Sequence, residues 1–192
     1  MKEVNVGIIG FGTVGAGVVE CLLNNGDLIA ERTGLRPVLK RIADLDITTD
    51  RGVTPPEGTL TTDAADVLQD PEIDVVVELV GGTTVAKDLI LRALEAGKPV
   101  VTANKALLAE AGDEIFAAAE NSSADVYYEA SVAGGIPIIK SVRESLVGNR
   151  INEIVGILNG TCNYILTRME REGVPFDEVL RQAQEAGYAE AD

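Results

Sequence analysis

The chain has 192 residues, which is enough for one domain and part of a second. Its 16 basic and 31 acidic side chains give a formal net charge of −15, so neither nucleic acid nor an anionic membrane surface is an expected partner. The amino terminus enters an apolar run without a basic leader, and Glu78 interrupts the apolar run over 75–80. These features predict a cytoplasmic protein without a membrane anchor.

Two residue types narrow the chemistry further. The sequence has no histidine, which excludes His-based acid–base catalysis, His–Cys zinc sites and a Ser-His-Asp triad. Cys21 and Cys162 have no CxxC partner and are expected to be buried small hydrophobes. Proton transfer would therefore use lysine, a carboxylate, tyrosine or water.

Hydrophobic periodicity predicts alternating strands and helices over the first two thirds of the chain. The predicted strands cover residues 4–9, 37–44, 73–80, 99–102 and 125–128. The predicted helices cover residues 13–24, 64–68, 84–96, 106–109 and 113–121. Such alternation favours the α/β class, as a Rossmann-type doubly wound parallel sheet covered on both faces.

The pattern changes after Glu129, where a glycine-rich bend at 133–135 leads into a different arrangement. Helices are predicted at 137–147, 161–172 and 176–186, and a strand at 151–158. We place the domain boundary near 130–136, with a Rossmann domain over 1–133 and the beginning of an α+β domain over 134–192. The second domain is expected to be incomplete.

The first predicted strand is followed by Gly10-Phe11-Gly12-Thr13-Val14-Gly15, a GxGxxG that opens a helix. Glycines in this context permit a tight turn and close approach of a pyrophosphate to the helix N-terminus. The alternative is a tight turn with a purely structural role. The strand–turn–helix context favours a dinucleotide-binding site.

Asp44 is the candidate ribose ligand at the end of the second predicted strand. It lies 29 residues past Gly15, later than usual, which a longer first helix and loop would explain. A ribose contact by Asp44 would favour NAD, whereas Lys40, Arg41 and Arg51 could instead accept the 2′-phosphate of NADP. Asp44 could also be only a solvated strand end.

Two further segments follow predicted strands, where ligands gather in open α/β sheets. Residues 81–84, Gly-Gly-Thr-Thr, are either a cofactor loop or a glycine turn with a threonine cap. Lys105 follows the strand at 99–102 and could donate a hydrogen bond to a carbonyl oxygen or pass a proton during hydride transfer. It could also be only a surface lysine at a helix start.

Taken together, six motifs closely resemble the homoserine dehydrogenase family, in the family's order and across essentially the whole chain. They are GFGTVG at 10–15, ELVGG at 78–82, TANK at 102–105, EASVAGGIP at 129–137, GILNGTCNYIL at 156–166 and AGYAEAD at 186–192. The resemblance implies NAD(P)-dependent interconversion of L-homoserine and L-aspartate 4-semialdehyde, in the branch leading to threonine and methionine. It also implies a homodimer for the full-length protein.

The resemblance assigns cofactor contacts to six residues: Phe11, Gly12, Thr13, Val14, Thr83 and Lys105. Lys105 is also implied as the catalytic candidate beside the reacting carbon, and Glu190 as the ligand of the substrate's amino group. A sodium ion near the hinge would be held by Glu129 and by main-chain carbonyls of Val132, Gly134 and Ile136. Hard oxygen ligands suit such an ion, although the same residues could simply cap a strand and bend the chain.

The chain departs from the family pattern in two ways. Relatives continue with a segment that holds an aspartate and the lysine that usually donates the proton, so this chain is expected to be truncated and inactive alone. Many relatives also carry a basic residue before the position of Asp44, where this chain has Ala43, which slightly favours NAD. The alternatives are a cofactor-binding module or nucleotide sensor without turnover, and another Rossmann oxidoreductase with a Lys-Pro motif, which Ala106 after Lys105 disfavours.

Overall fold

The computed structural model describes residues 2–157 and 159–189. The chain divides into two compact units, of which the first ends at Lys140 and the second begins at Ser141. A functional domain boundary at residue 133 stays a prediction. Among the described residues, all six strands and five of the seven α-helices belong to the first unit.

The first unit alternates strands and helices, as the hydrophobic periodicity predicts. Its strands are β1 (Lys2–Ile9), β2 (Leu35–Ala43), β3 (Leu60–Thr61), β4 (Val75–Glu78), β5 (Val100–Thr102) and β6 (Val126–Tyr127). Its α-helices are α1 (Thr13–Thr33), α2 (Ala65–Leu68), α3 (Thr84–Glu95), α4 (Lys105–Asn121) and α5 (Ile138–Lys140), and a 3₁₀ turn spans Glu129–Ser131. Each helix between strands serves as the crossover that a parallel sheet requires.

The sheet has the strand order β3-β2-β1-β4-β5-β6, and every pairing is parallel. The chain builds outward from β1 on one side and then returns to pair β4 with β1, where Ile9 lies opposite Glu78. Strand order therefore reverses between β1 and β4. This reversal is the topological switch point at which doubly wound folds bind ligands, and the predicted fold class is confirmed.

Both faces of the sheet are buried, because successive side chains of a strand point to opposite faces. Ile9 and Val76 pack with α3 and α4 on one face, whereas Ile8 and Val77 belong to a second cluster with Val19 of α1. Buried on both sides, the central strands read as continuous apolar runs rather than as alternating ones. This core holds the carboxyl ends of β1, β4 and β5 in fixed register.

Helix α1 is longer than predicted, since it continues past the Asn24-Asn25-Gly26 stretch to Thr33. Ala30 is 2% exposed, and its packing offsets the cost of about 1 kcal/mol that a glycine carries inside a helix. The helix ends at Gly34, whose φ of 76° forms a left-handed cap. This length explains why Asp44 stands so far from Gly15.

Helix α4 joins the two predicted helices at 106–109 and 113–121 into one element. Its backbone is non-helical at Ala111, with φ −131° and ψ 19°, and the element bends there. The prediction identified the two helical segments and missed that they are joined across this bend.

The second unit contains a five-residue π-helix, Ser141–Ser145, and two α-helices, α6 (Gly160–Glu172) and α7 (Phe176–Glu185). The π geometry arises because the N–H of Leu146 donates to the carbonyl of Ser141, five residues earlier. Helices α6 and α7 pack through Ile165, Val179 and Ala183. They confirm the two predicted helices within two residues at each end.

Two further predictions, a strand at 151–158 and the burial of both cysteines, are wrong. The strand expected at 151–158 does not form over 151–157, where Ile154, Val155 and Ile157 are exposed; Leu158 lies outside the described residues. A strand needs neighbouring strands to pair its backbone, and the described part of this unit contains none. Both cysteines are exposed rather than buried; Cys21 stands two residues after buried Val19 on α1 and so faces the opposite side of the helix.

Within the described residues, no helix is both long enough and apolar enough to span a membrane.

Candidate dinucleotide-binding site

The glycine loop between β1 and α1 lies at the switch point, and each of its three glycines has a different reason to lack a side chain. Gly10 has φ 105°, and a Cβ there would stand 2.6 Å from the backbone of Leu79. A Cβ on Gly15 would stand 2.2 Å from the carbonyl oxygen of Gly10, so Gly15 lets α1 pack closely against the end of β1. A Cβ on Gly12 would meet nothing within 4 Å, which leaves open space in front of the backbone at that position.

The helix N-terminus faces this open space without a side-chain cap. Gly12 is the N-cap residue of α1, no side chain accepts a hydrogen bond there, and Thr13 and Val14 are exposed. First-turn N–H groups and the helix dipole attract an anion such as a pyrophosphate. The loop therefore fits a dinucleotide, and phosphate contacts by Gly12, Thr13 and Val14 stay a prediction.

Phe11 and Asp44 hold the loop in place from behind. The Phe11 side chain is 3% exposed and packs in the core, while its N–H donates to Oδ2 of Asp44. Oδ1 of Asp44 accepts from the N–H of Asp46 at 2.8 Å. Asp44 is consequently not a solvated strand end, because its half-buried carboxylate fastens the end of β2 to the glycine loop.

The three cations that could meet a 2′-phosphate are in different surroundings. Lys40 pairs with Glu72 at 2.6 Å, and Arg41 donates to the carbonyl of Gly58 at 2.9 Å. Arg51 lines an open hollow with Thr13, Ala16, Gly17 and Glu20, beside the start of α1. Of these cations, Arg51 is the one that the fold brings to the glycine loop.

Arg51 is not a free cation, because its Nη2 lies 3.1 Å from Oδ2 of Asp46. Hydrogen bonds from Thr49 and Thr48 hold the pKa of the Asp46 carboxyl well below its usual range. Asp46 therefore stays ionised and offsets the Arg51 charge. The segment 44–51 combines the one cation of Arg51 with three carboxylates, those of Asp44, Asp46 and Asp50.

The loop after β4 stands on the other side of the switch point. Gly81 and Gly82 are exposed, and Thr83 is the N-cap residue of α3, although its side chain makes no capping hydrogen bond. The alternative, a glycine turn capped by a threonine side chain, is therefore not what the structure shows at Thr83. Thr83 is half-buried at this edge of the sheet, and its contact with a cofactor stays a prediction.

Lys105 is the first residue of α4, directly after β5, and its side chain is exposed. The preceding Asn104 caps α4, since its Oδ1 accepts from the N–H of Leu107 at 3.0 Å. Nδ2 of Asn104 donates to the carbonyls of Val80 and Gly82 at 3.2 and 2.7 Å. Asn104 thereby ties the start of α4, and Lys105 with it, to the glycine loop after β4.

The residues predicted to hold sodium lie in the turn after β6. Glu129 directs both carboxylate oxygens at backbone N–H groups, those of Ile139 at 2.9 Å and Lys140 at 2.8 Å. The carbonyl of Ile136 accepts from the N–H of Ile138 at 2.8 Å. Among the described residues no group of three or more acidic, cysteine or histidine side chains is placed to hold a metal. Main-chain carbonyls would have to supply most of such a site.

Glu190, the predicted ligand of the substrate's amino group, lies outside the described residues. Sequence reasoning also missed the hydrogen-bonded polar residues beneath the loops, namely buried Glu78, Thr102 and Ser131 and half-buried Asn104. The available signal was a carboxylate inside an otherwise apolar strand.

Comparison with known proteins agrees with this geometry. A family model described as "Homoserine dehydrogenase, NAD binding domain" matches residues 10–129, and one described as "Homoserine dehydrogenase" matches residues 137–192. The homoserine dehydrogenase of Pseudomonas aeruginosa is 52% identical over 194 residues, which cover 100% of this chain and 44% of the relative.

Solved structures are similar as well. The homoserine dehydrogenase of Thiobacillus denitrificans superposes with a TM-score of 0.91 at 49% identity, covering 100% of this chain and 44% of that one. A hyperthermophilic archaeal homoserine dehydrogenase in complex with NADPH gives a TM-score of 0.77 at 27% identity, covering 99% of this chain and 63% of that one. The chain thus spans less than half the length of the bacterial relatives. With its glycine loop, its sheet order and these matches, the chain belongs to the homoserine dehydrogenase family.

Proposed function

We propose that this chain is the nicotinamide dinucleotide-binding part of an oxidoreductase that interconverts L-homoserine and L-aspartate 4-semialdehyde, in threonine and methionine biosynthesis. The observation that carries the proposal is the glycine loop, in which Gly12 leaves the N-terminus of α1 open. Bound at this site, NAD(P) accepts or returns the hydride. The remaining work, which is binding, orienting and proton handling, falls to the backbone and the side chains of the protein.

Lys105 is proposed as the catalytic residue of this chain. Oxidation of homoserine would move a hydride from the carbon that bears the hydroxyl to the nicotinamide, and the proton of the hydroxyl to water. An exposed ammonium group at the start of α4 can donate a hydrogen bond to that oxygen and stabilise its developing negative charge. Glu190 is proposed to bind the substrate's ammonium group, because opposite charges form strong hydrogen bonds.

Phosphate binding is proposed for the amides of residues 12–14, with Phe11 and Gly10 shaping the loop and Thr83 contacting the nicotinamide half. Asp44 is proposed to accept from a ribose hydroxyl, since its carboxylate keeps acceptor capacity beyond its two backbone bonds. A preference for NAD is proposed on the same grounds. Arg51, which lines the hollow beside the loop, is already paired with Asp46, and the carboxylates of Asp44, Asp46 and Asp50 disfavour a 2′-phosphate.

Substitution at Asp46 tests the cofactor preference. Asp46→Asn removes one negative charge and releases Arg51, so the NADP affinity should rise relative to that for NAD. Arg51→Ala should lower the NADP affinity selectively. Calorimetric titration with both cofactors measures the ratio, and an unchanged ratio in both variants would exclude this pair as the determinant.

A sodium site at Glu129, Val132, Gly134 and Ile136 is proposed with main-chain carbonyls as its principal ligands. A homodimer and a cytoplasmic location for the full-length protein are proposed on the family resemblance. Sodium binding is tested by comparing the thermal stability of the chain in sodium and in potassium chloride at equal ionic strength. Equal melting temperatures would count against the site.

A second candidate is cofactor binding without turnover, favoured by the fact that the chain spans 44% of its bacterial relatives. Calorimetric titration with NAD, followed by a homoserine-dependent absorbance assay on the same sample, separates the two. Binding without turnover is expected for these 192 residues, and turnover for the full-length protein. Failure to bind either cofactor would refute the proposal.

The role of Lys105 is tested in the full-length protein. Lys105→Met should lower kcat because the hydrogen bond to the reacting oxygen is lost. Lys87→Met is the matched control, since Lys87 pairs with Glu114 on the surface at 3.0 Å. Equal activities of the two variants would remove Lys105 from the mechanism.

A further inference from the structure

A buried carboxylate lies beneath the proposed nicotinamide half of the site. Glu78, the last residue of β4, is 1% exposed and is the one buried acidic residue in the described part of the chain. Its Oε1 accepts from the N–H of Val80 at 2.7 Å, and its Oε2 accepts from the hydroxyl of Thr102 at 2.7 Å. Glu78 therefore joins the carboxyl ends of two neighbouring strands.

Thr102 extends this connection to the start of α4. Its hydroxyl oxygen accepts from the N–H of Asn104 at 3.0 Å, which obliges its proton to point at Glu78. The carbonyl of Thr102 accepts from the hydroxyl of Ser131 at 2.9 Å. Asn104 in turn binds the carbonyls after β4, as described above, and closes a ring of hydrogen bonds around the two loops.

Stability alone does not account for a carboxylate at this position. Burial raises the pKa of Glu78, while the hydrogen bonds from Thr102 and Val80 lower it. Apolar residues of similar volume often replace buried charged networks at no loss of stability. What such a hydrogen-bonded network does provide is a single fixed arrangement of the backbone and side chains around it.

We propose that Glu78 is a positioning residue that acts through Thr102 and Asn104. It holds the loop at 80–82 and the start of α4 in the relative position that receives the nicotinamide half of the cofactor. The inference rests on the proposed function, because it presumes that NAD crosses the switch point. It adds a role for Glu78 and Thr102, which are buried beneath the loops that are proposed to contact the cofactor.

The test compares NAD with ADP-ribose, which lacks the nicotinamide ring but keeps the pyrophosphate and both riboses. Calorimetric titrations of the 192-residue chain give both affinities. Glu78→Gln keeps one amide oxygen to accept from the N–H of Val80 and presents its NH₂ group to Thr102, so the hydrogen bond that the Thr102 hydroxyl donates is lost. Loss of a hydrogen bond to a charged group predicts about tenfold weaker binding of NAD, with the ADP-ribose affinity unchanged.

Thr102 supplies a second variant with a matched control. Thr102→Val keeps the shape of the side chain and removes the hydroxyl, whereas Thr102→Ser keeps the hydroxyl. Valine should weaken NAD binding as Glu78→Gln does, and serine should retain the wild-type preference for NAD over ADP-ribose. Because ADP-ribose binding also reports an intact fold, a variant that simply unfolds is recognised.

Each outcome decides the inference. A selective loss of NAD affinity in Glu78→Gln and Thr102→Val, but not in Thr102→Ser, supports it. Equal losses for both ligands, or no loss for either, overturn it and leave the dinucleotide site standing. If the unmodified chain binds neither ligand, the proposed function fails, and the inference fails with it.

Discussion

Replacing Gly12 by alanine separates ligand binding from folding at the glycine loop. The backbone of Gly12 has φ −72° and ψ −161°, which any residue adopts, and the new Cβ would meet no atom within 4 Å. Alanine restricts the unfolded chain, which adds ~0.4–1 kcal/mol of stability, and it is a poorer N-cap than glycine, with a cost of similar size. The free energy of unfolding should therefore stay near the wild-type value.

Binding should respond strongly to the same change, because the methyl group fills the space in front of the α1 N-terminus. Losing one charge-assisted hydrogen bond to a phosphate costs ~1.5–3 kcal/mol, which raises the Kd for NAD about 10- to 150-fold. Urea unfolding and calorimetric titration on the same preparation measure both quantities. A Gly12→Ala variant that binds NAD as tightly as the wild type would refute phosphate binding at this loop.

The control for this experiment is Gly26→Ala in the same helix. Gly26 lies in the interior of α1, and a Cβ at this position would come no closer than 4.0 Å to the carbonyl of Pro37. Alanine there should stabilise the helix by about 1 kcal/mol. The NAD affinity should not change, because this position is far along the helix from the glycine loop.

Three further predictions concern stability. Gly15→Ala should destabilise the chain by ~1–3 kcal/mol in urea unfolding, because its Cβ would stand 2.2 Å from the Gly10 carbonyl; wild-type stability would contradict the close packing. Burial raises the pKa of Glu78, so the folded state binds the carboxyl proton of Glu78 more tightly than the unfolded state does. The protonated carboxyl therefore contributes to the free energy of unfolding at low pH, and this contribution is lost as pH rises through the folded pKa. The wild type should accordingly lose stability relative to Glu78→Gln as pH rises from about 4, and a pH-independent difference would be the contrary result. Lys98 is 8% exposed, and its Nζ donates to two main-chain carbonyls. Lys98→Met leaves these carbonyls without a partner, at a cost of ~1–3 kcal/mol, and should lower the melting temperature. An unchanged melting temperature would argue against that role.

Residue types and their spacing along the chain predicted much of the fold and of the candidate site. Gly10 and Gly15 occupy the positions that their spacing indicated, and Lys105 follows β5 as its place after an apolar run implied. The wrong predictions arose where packing competes with local signals. Helix α1 runs through Gly26 because Ala30 is buried, and the β-branched stretch at 151–157 forms no strand because the described residues offer it no partner strand.

By itself, the sequence determined the alternation of strands and helices, the glycine loop that opens α1 and the family to which the chain belongs. Those features depend on neighbouring residues and on periodicity, which a linear reading contains. Only the tertiary structure decided that Asp44 fastens the glycine loop across 33 residues and that Glu78 meets Thr102 across 24. Such pairs follow from the strand order β2-β1-β4-β5, which brings distant strand ends together at one edge of the sheet.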